Sequence, residues 1–455
     1  MAARGIRKSV VVALVLLFGC TSVQPAQRDP ARPQNVILMI ADGTGPATAT
    51  MARDYLRAVS EASNLALDEI LVGSVQTHST SSRITDSAAG ATAYSTGVKT
   101  SNSSVGTDSD GRPLGTIVEA AEAKGMATGV VVQSFLADAT PASFMAHVPE
   151  RDMMNESAAQ IVEQTVDVVM GGGRTHFVPS EAGGSREDGR DLLQEWREKG
   201  YQVVLSGTEF AESLRTPLVG IFAEEDMAPE IDRADEIEPP LVAMARRAVD
   251  LLQDHPTGFL LIVEGSNIDV AGHRNDAAAM LQDMLAYDEA VAAMVDFARQ
   301  DGNTLMISVA DHETGGLTLG RSGASWRPEV LAGVQRSNRA IADELTSGSD
   351  PIAAFRRLTG IDDLSDEEDA ALREAVASNR GVSSAVGSVI NRRAGVGWTS
   401  GGHTAVDVHL YAFGPGADRL AGHHDNTYVG RTIAELLDLD LGAATAAARA
   451  TLSGR

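Results

Sequence analysis

A chain of 455 residues with 37 basic and 62 acidic side chains carries a formal net charge of −25, which excludes a general nucleic-acid binder, since phosphate backbones require a basic surface. Its 43% apolar content and 44 glycines exclude a disordered or fibrous chain and fit a large globular α/β protein with many tight loops. Cys20 is the only cysteine, so no intramolecular disulfide can form and core packing must provide the stability.

Arg4, Arg7 and Lys8 precede an apolar run over residues 10–18 that is too short to span a membrane as a helix. The pattern predicts a signal peptide over residues 1–19. The run ends Leu17-Phe18-Gly19-Cys20, which resembles a bacterial lipobox with Cys20 lipidated, although Phe18 replaces the small residue usual there. The expectation is an exported protein of the periplasm or cell envelope, touching membrane only through a lipid at Cys20. The alternative is an ordinary signal peptide with an incidental cysteine. Pro25, Pro30 and Pro33 among polar residues make residues 20–34 a flexible tether.

Val36-Ile37-Leu38-Met39-Ile40 reads as a strand buried on both faces. It ends in Ala41-Asp42-Gly43-Thr44-Gly45-Pro46, and a carboxylate at that end of a parallel strand stands where open α/β sheets bind ligands. A turn residue or helix cap explains Asp42 equally well on local grounds. Residues 46–60 read as helix and residues 72–78 as a strand.

Thr85-Asp86-Ser87-Ala88-Ala89-Gly90-Ala91-Thr92-Ala93 follows. Its small residues suit a helix docked closely on a sheet. Its polar triplet falls in the first turn, where free N–H groups and the helix dipole favour an anion. Ser87 is either a hydroxyl facing an anion or part of an ordinary cap.

Residues 95–112 read as loop, and Leu114, Ile117, Val118 and Ala121 form a helical stripe ending near Gly125. A strand at residues 129–132 leads to Asp138-Ala139-Thr140-Pro141-Ala142, then His147 and Arg151. Residues 166–170 form another strand before Gly171-Gly172-Gly173. Residues 174–240 are mixed and acidic, with short strands near 202–205 and 219–222, and a helix spans residues 240–253. Phe259-Leu260-Leu261-Ile262-Val263 is a buried strand ending in Glu264-Gly265, with Asp269 and His273 beyond. Residues 276–300 are helical, with core methionines. Residues 305–309 form a strand ending in Ala310-Asp311-His312-Glu313.

Residues 320–397 read as a helical insertion or lid, with a capping box at Ser365-Asp366-Glu367-Glu368. Gly401-Gly402-His403-Thr404 precedes a last strand at residues 408–413, a helix over 426–440 closes the fold, and residues 441–455 are a tail. Strands alternating with helices predict one α/β domain over residues 35–440, with a mostly parallel central sheet and helices on both faces.

Asp42, Glu264, Asp269, His273, Asp311 and His312 all follow strands, and His403 precedes one. Asp269 and His273 share a face if their stretch is helical. Imidazole with carboxylate suits zinc, and an oxygen-only set suits magnesium. Each residue alone has a bland explanation. Together, at one sheet edge, they are hard to explain as caps.

Five motifs then carry a resemblance across nearly the whole mature chain: Thr85-Asp86-Ser87-Ala88-Ala89, Asp138-Ala139-Thr140-Pro141-Ala142, Glu264-Gly265 with Asp269 and His273, Ala310-Asp311-His312-Glu313, and Gly402-His403-Thr404. In that order they resemble the metal-dependent alkaline phosphatases. The resemblance implies hydrolysis of phosphate monoesters through a phosphoserine at Ser87, releasing inorganic phosphate. It implies one zinc on Asp269, His273 and His403 and a second on Asp42, Asp311 and His312. A magnesium would bind Asp42, Thr140 and Glu264. Arg151 would grip two phosphate oxygens, as a planar guanidinium can. A homodimer is a further expectation from the family.

One departure stands out. Members of the enterobacterial type place Lys after the zinc-binding Asp, paired with an Asp at the position of Asp138; here Val270 stands there. That puts the third metal in question. Competing readings are a phosphodiesterase of the same superfamily, a sulfatase, and a non-catalytic phosphate-binding lipoprotein. Ser87-Ala88-Ala89-Gly90 lacks the sulfatase motif, a diesterase usually has a Thr nucleophile and no Arg clamp, and pure binding needs no nucleophile.

Overall fold

An apolar run of five or six residues can be buried on both sides in the middle of a parallel sheet, and the chain's strongest runs sit there. The computed structural model describes residue 1 and residues 32–60, 64–212 and 215–453. Ten strands form the main sheet: β1 (Asn35–Ile40), β2 (Leu71–Gln76), β3 (Ala127–Phe135), β4 (Val168–Gly172), β5 (Gln202–Val204), β6 (Leu218–Ile221), β7 (Phe259–Glu264), β8 (Thr304–Val309), β9 (Val408–Phe413) and β10 (Gly422–Asp425). Their order across the sheet is β10-β2-β9-β8-β1-β7-β3-β4-β6-β5. Only β9 runs against its neighbours. The mostly parallel α/β architecture expected from the sequence is therefore observed.

Every residue of β1, β7 and β8 is buried. Side chains alternate along a strand, so Val36, Leu38 and Ile40 join one core while Ile37 and Met39 join the other. Helices Leu241–Leu252 and Ala277–Asp301 cover the face of Ile37 and Met39, and Met280, Met284 and Met294 pack in that core. The opposite face carries helices Ser87–Thr96, Ile117–Ala123, Ala139–Met145 and Thr427–Leu437. Each fully buried Ile, Leu or Met contributes roughly 1.5–3 kcal/mol relative to exposure.

Residues 320–397 hold four α-helices: Asn338–Ser347, Pro351–Thr359, Asp366–Ser378 and Val382–Ala394. Ser337, Asp350 and Ser365 cap the first three through their side chains, and Ser365 with Glu368 makes the expected capping box. Ile341, Leu345, Phe355, Leu372, Val386 and Ile390 merge with the core beneath Ile37. The segment is therefore packed onto the body. A two-strand ladder, Thr318–Leu319 against Val396–Gly397, joins its two ends.

Within the tail expected over residues 441–455, the described residues up to 453 differ from that expectation. Leu441–Ser453 is a helix with Ala444 and Ala448 buried, and the Gly115 N–H donates to Thr445 Oγ1 at 2.8 Å. Alanine is the best helix former but leaves a weak apolar stripe, so packing shows only in three dimensions. Strand β10 was also invisible in the sequence, because Gly-His-His-Asp has no apolar alternation.

The predicted signal peptide beyond Met1, Cys20 and the tether up to residue 31 lie outside the described residues. Among the described residues, no helix is long and apolar enough to cross a membrane.

Candidate active site

The centre of the sheet assembles the site. Ile40 at the end of β1 pairs with Glu264 at the end of β7 and with Val309 at the end of β8. Asp42 and Asp311 each lie two residues past those ends. Three adjacent parallel strands thus deliver three carboxylates to one edge, where open α/β sheets bind ligands. Asp269 and His273 come from the helix Asn267–His273, one turn apart as their spacing predicts, with His273 Nε2 3.1 Å from Asp269 Oδ2. A short antiparallel pairing of His403–Thr404 with Glu313–Thr314 carries His403 in from the far side.

Ser87 opens the helix Ser87–Thr96, behind its N-cap Asp86, whose carboxylate accepts from the Ala89 N–H at 3.0 Å. The small-residue run has a measurable reason. A Cβ on Gly90 would lie 3.1 Å from Asp311 Cβ, so this helix rests directly on the carboxylate cluster. Ser87 Oγ donates to His312 Nε2 at 3.1 Å.

The three imidazoles are oriented from behind. His273 Nδ1 donates to Gly401 O at 2.8 Å and His403 Nδ1 to Thr85 O at 2.9 Å. The Thr314 hydroxyl donates to Asp269 Oδ1 and so accepts from His312 Nδ1 at 3.2 Å. Each ring then turns its Nε2 inward. His273 Nε2 and His403 Nε2 lie 3.2 Å apart, and the His312 and His403 rings stack with centroids 3.5 Å apart. Two nitrogens on one tetrahedral zinc would be separated by about 3.3 Å, given bonds of about 2.0 Å.

The carboxylates tell the same story. Asp42 Oδ1, Asp311 Oδ2, Glu264 Oε1 and Thr140 Oγ1 are buried with no protein hydrogen-bond partner. Asp42 Oδ1 and Asp311 Oδ2 lie 3.7 Å and 3.2 Å from His312 Nε2. Burial, with Asp311, Asp269 and Glu264 nearby, pushes the Asp42 carboxyl well above its ordinary value. Burial and Asp138 push Glu264 up to about 8. Burial pushes His312 down to about 4 against the pull of Asp311. Burial would raise Asp269 too, but His273, His312 and His403 hold it below the usual range. The bond to Asp269 in turn lifts His273 to about 9. Buried acceptors facing acceptors need cations between them.

Asp42, Asp311 and His312 form one group whose ligand atoms could meet on a single ion, and Asp269, His312 and His403 form another. The first is the set expected for the second zinc. The second group has His312 where His273 was expected, with His273 adjoining through Asp269 and His403. Thr140 and Glu264 supply further oxygens, and Ser134 Oγ donates to Glu264 Oε2 at 3.2 Å. This donor chemistry fits divalent cations.

The fold and these donors match known proteins. The family model for alkaline phosphatase matches residues 33–439. This chain belongs to the alkaline phosphatase family. It is 34% identical to the repressible alkaline phosphatase of Saccharomyces cerevisiae, covering 96% of this chain and 89% of that protein. It is 35% identical to alkaline phosphatase 3 of Bacillus subtilis, with 90% of each covered. Among solved structures, the cold-active alkaline phosphatase of a psychrophilic Shewanella sp. matches with a TM-score of 0.83 at 34% identity, covering 89% of this chain and 99% of that one. The chain is therefore a phosphatase, and phosphomonoester hydrolysis is the activity its family supports.

In this alkaline phosphatase, Asp138 is not left without a cation. Arg151 Nη2 donates to Asp138 Oδ1 at 3.1 Å, and Nη1 lies 3.6 Å from Asp86 Oδ2. Burial disfavours the charged guanidinium, but Asp138 and Asp86 hold its proton more firmly than in water. The residue expected to hold phosphate therefore also pairs with Asp138. Thr314 was not singled out from the sequence, although it immediately follows Asp311-His312-Glu313. His147 lies outside this network. Its Nδ1 donates to Gly106 O at 2.7 Å, and its Nε2 meets Glu119 Oε1 at 2.9 Å. His423 is engaged at the sheet edge by Ser74 and Gln76, and His424 stacks on Tyr428.

Proposed function

We propose that this phosphatase works through a phosphoserine formed at Ser87. The observation that carries the reading is a buried hydroxyl set against inward-facing imidazole nitrogens and carboxylate oxygens with no protein partner. Asp269, His273 and His403 would hold one zinc, Asp42, Asp311 and His312 a second, and Asp42, Thr140 and Glu264 a magnesium. Bound there, the ions supply Lewis-acid charge to the Ser87 oxygen and to the departing oxygen. Ser87 Oγ bonds to phosphorus as the ester oxygen leaves with the alcohol. Water then displaces Ser87 and frees inorganic phosphate. Arg151 lies between Asp138 and Asp86 and turns its donors to two phosphate oxygens. The helix Ser87–Thr96 keeps Ser87 fixed, because its docking on Asp311 leaves no room to retreat.

The signal pattern at residues 1–19 and Cys20 support an exported, lipid-anchored protein acting in the periplasm or envelope on phosphate monoesters. A homodimer is the family expectation. Purified protein should turn over p-nitrophenyl phosphate, lose that activity on chelation, and regain it with zinc and magnesium. Phosphate binding without turnover in the metal-loaded protein would refute the enzymatic reading, and zinc absent from active protein would refute the ion assignment.

A further inference from the structure

A cleft of about 1020 Å³ opens beside His273. One wall is the helix Val382–Ala394 of the insertion, and the other carries Arg274, Arg321 and Trp398. Its position follows from the chemistry at phosphorus. In-line displacement puts the departing oxygen opposite the attacking one. Ser87 adjoins His312, His312 stacks on His403, and His403 meets His273, so His273 lies at the far end of the cluster from the nucleophile. The alcohol portion of a substrate would extend past His273.

The lining is unusual for this chain. With 62 acidic residues in the sequence, none of the residues lining the cleft is Asp or Glu. Two are arginines, and neither guanidinium has an ion-pair or hydrogen-bond partner among the described residues, although Asp226 feels the charge of Arg274. The helical wall is equally distinctive. Val382, Val386, Val389 and Ile390 face the core, while Ser383, Ser384, Gly387, Ser388 and Asn391 line the cleft. These five share one helical face by their spacing. The neighbouring helix Asp366–Ser378 instead turns Asp366, Glu367, Arg373 and Glu374 outward. Asn391 keeps its Oδ1 and Trp398 its Nε1 buried without a protein partner. One hydroxyl-rich wall facing one cationic wall, with spare polar atoms, matches a ligand that is both polar and anionic.

We propose that this cleft is the leaving-group subsite, and that it selects phosphate monoesters whose alcohol portion is a polyol bearing a second anionic group. Arg321 and Arg274 are its specificity-determining residues, and the insertion is the element that builds it. This rests on the phosphomonoesterase reading above.

The test compares 6-phosphogluconate with sorbitol 6-phosphate, which differ only by a carboxylate in place of an alcohol. The metal-loaded protein should favour the carboxylate in kcat/KM by about ten-fold, as expected for one charge-assisted contact. That ratio should fall toward one in Arg321→Ala and again in Arg274→Gln. It should also shrink as salt rises from about 50 mM to about 500 mM, because screening weakens exposed charge pairs. A ratio near one in the native protein, or one unmoved by both substitutions, overturns the subsite. A substitution that slows both substrates equally does the same, since it leaves the ratio intact. Failure of the parent reading is distinct: p-nitrophenyl phosphate would then not be hydrolysed at all.

Discussion

Two buried clusters in this molecule use the same residue types to opposite ends. Around His147, polar groups are paired: Nδ1 with Gly106 O, Nε2 with Glu119 Oε1, and the backbone N–H with Gln160 Oε1. Glu119 Oε2 in turn accepts from the Thr116 N–H. Around Ser87, Asp42, Asp311, Glu264 and Thr140 each keep a buried oxygen without a protein partner. A satisfied histidine–carboxylate pair holds elements together, and an unsatisfied set is a site for something absent from the chain. Residue type does not separate the two clusters; the accounting of donors and acceptors does.

The sharpest way to break this comparison is Ser87→Ala. It removes one oxygen from the unsatisfied cluster and leaves the paired one intact. Turnover of p-nitrophenyl phosphate should fall roughly 10⁴-fold or more, as for other essential nucleophiles. The melting temperature should stay close to that of the native chain. Near-native turnover in a steady-state assay would remove Ser87 from the chemistry.

Exchanging damage between the clusters comes next. Asp311→Asn should cut kcat by roughly 10³-fold through the lost ligand, yet the metal-free protein should be no less stable, because one repelling buried charge is gone. His147→Ala should do the reverse. It strands Glu119 and Gly106 O, at a cost of about 2–4 kcal/mol, with kcat in the folded, metal-loaded protein nearly unchanged. Urea unfolding beside metal-saturated kinetics reads both arms. A large loss of stability in metal-free Asp311→Asn would mean that its oxygens are structural after all.

Arg151 belongs to both worlds, since it is ion-paired with Asp138 and Asp86 and also the expected phosphate clamp. Arg151→Lys keeps the charge but loses the planar fork. KM for a monoester should rise about ten-fold or more, and inorganic phosphate should inhibit correspondingly less. Equal KM values would show that the Asp138 pairing is its whole role.

Much of this contrast was legible in the sequence, and the illegible part has physical causes. The central strands β1, β7 and β8 were plain because burial on both faces demands unbroken apolar runs. Asp42, Glu264 and Asp311 could each pass for a turn residue or cap alone, and became legible only as a set at the ends of neighbouring strands. Strand β10 was not, because an edge strand needs no apolar face, and the helix Leu441–Ser453 was not, because alanine packs without a strong stripe. The partner of Asp138 could not be read at all. Its pairing with Arg151 depends on how the helix Ala139–Met145 and the turn after it return the chain, and no local pattern records that. His147 was ambiguous because a histidine's partners decide its role, and they lie 41 and 28 residues away.

Glu122 supplies the smallest and most graded case, between the two clusters. It is half-buried, it accepts from Thr165 Oγ1 at 3.1 Å and Thr128 Oγ1 at 3.3 Å, and it has no cationic partner among the described residues. Burial pushes its carboxyl up to about 7 from an ordinary 4.5. Below pH 4.5 it is protonated in both the folded and the unfolded chain, so it costs nothing. Between pH 4.5 and 7 the unfolded chain ionises while the folded protein keeps the proton, so stability is lost across that window, by about 1–2 kcal/mol after allowing for its partial exposure, and stays lost above it. Glu122→Gln keeps an acceptor for one threonine and removes that charge. Its melting temperature should match the native chain near pH 4 and exceed it by a few degrees at pH 9, with the gap opening between pH 4.5 and 7. A gap that is constant across this range would mean that hydroxyl donors alone can satisfy a half-buried carboxylate, and that the unsatisfied oxygens near Ser87 owe their strain to one another more than to burial.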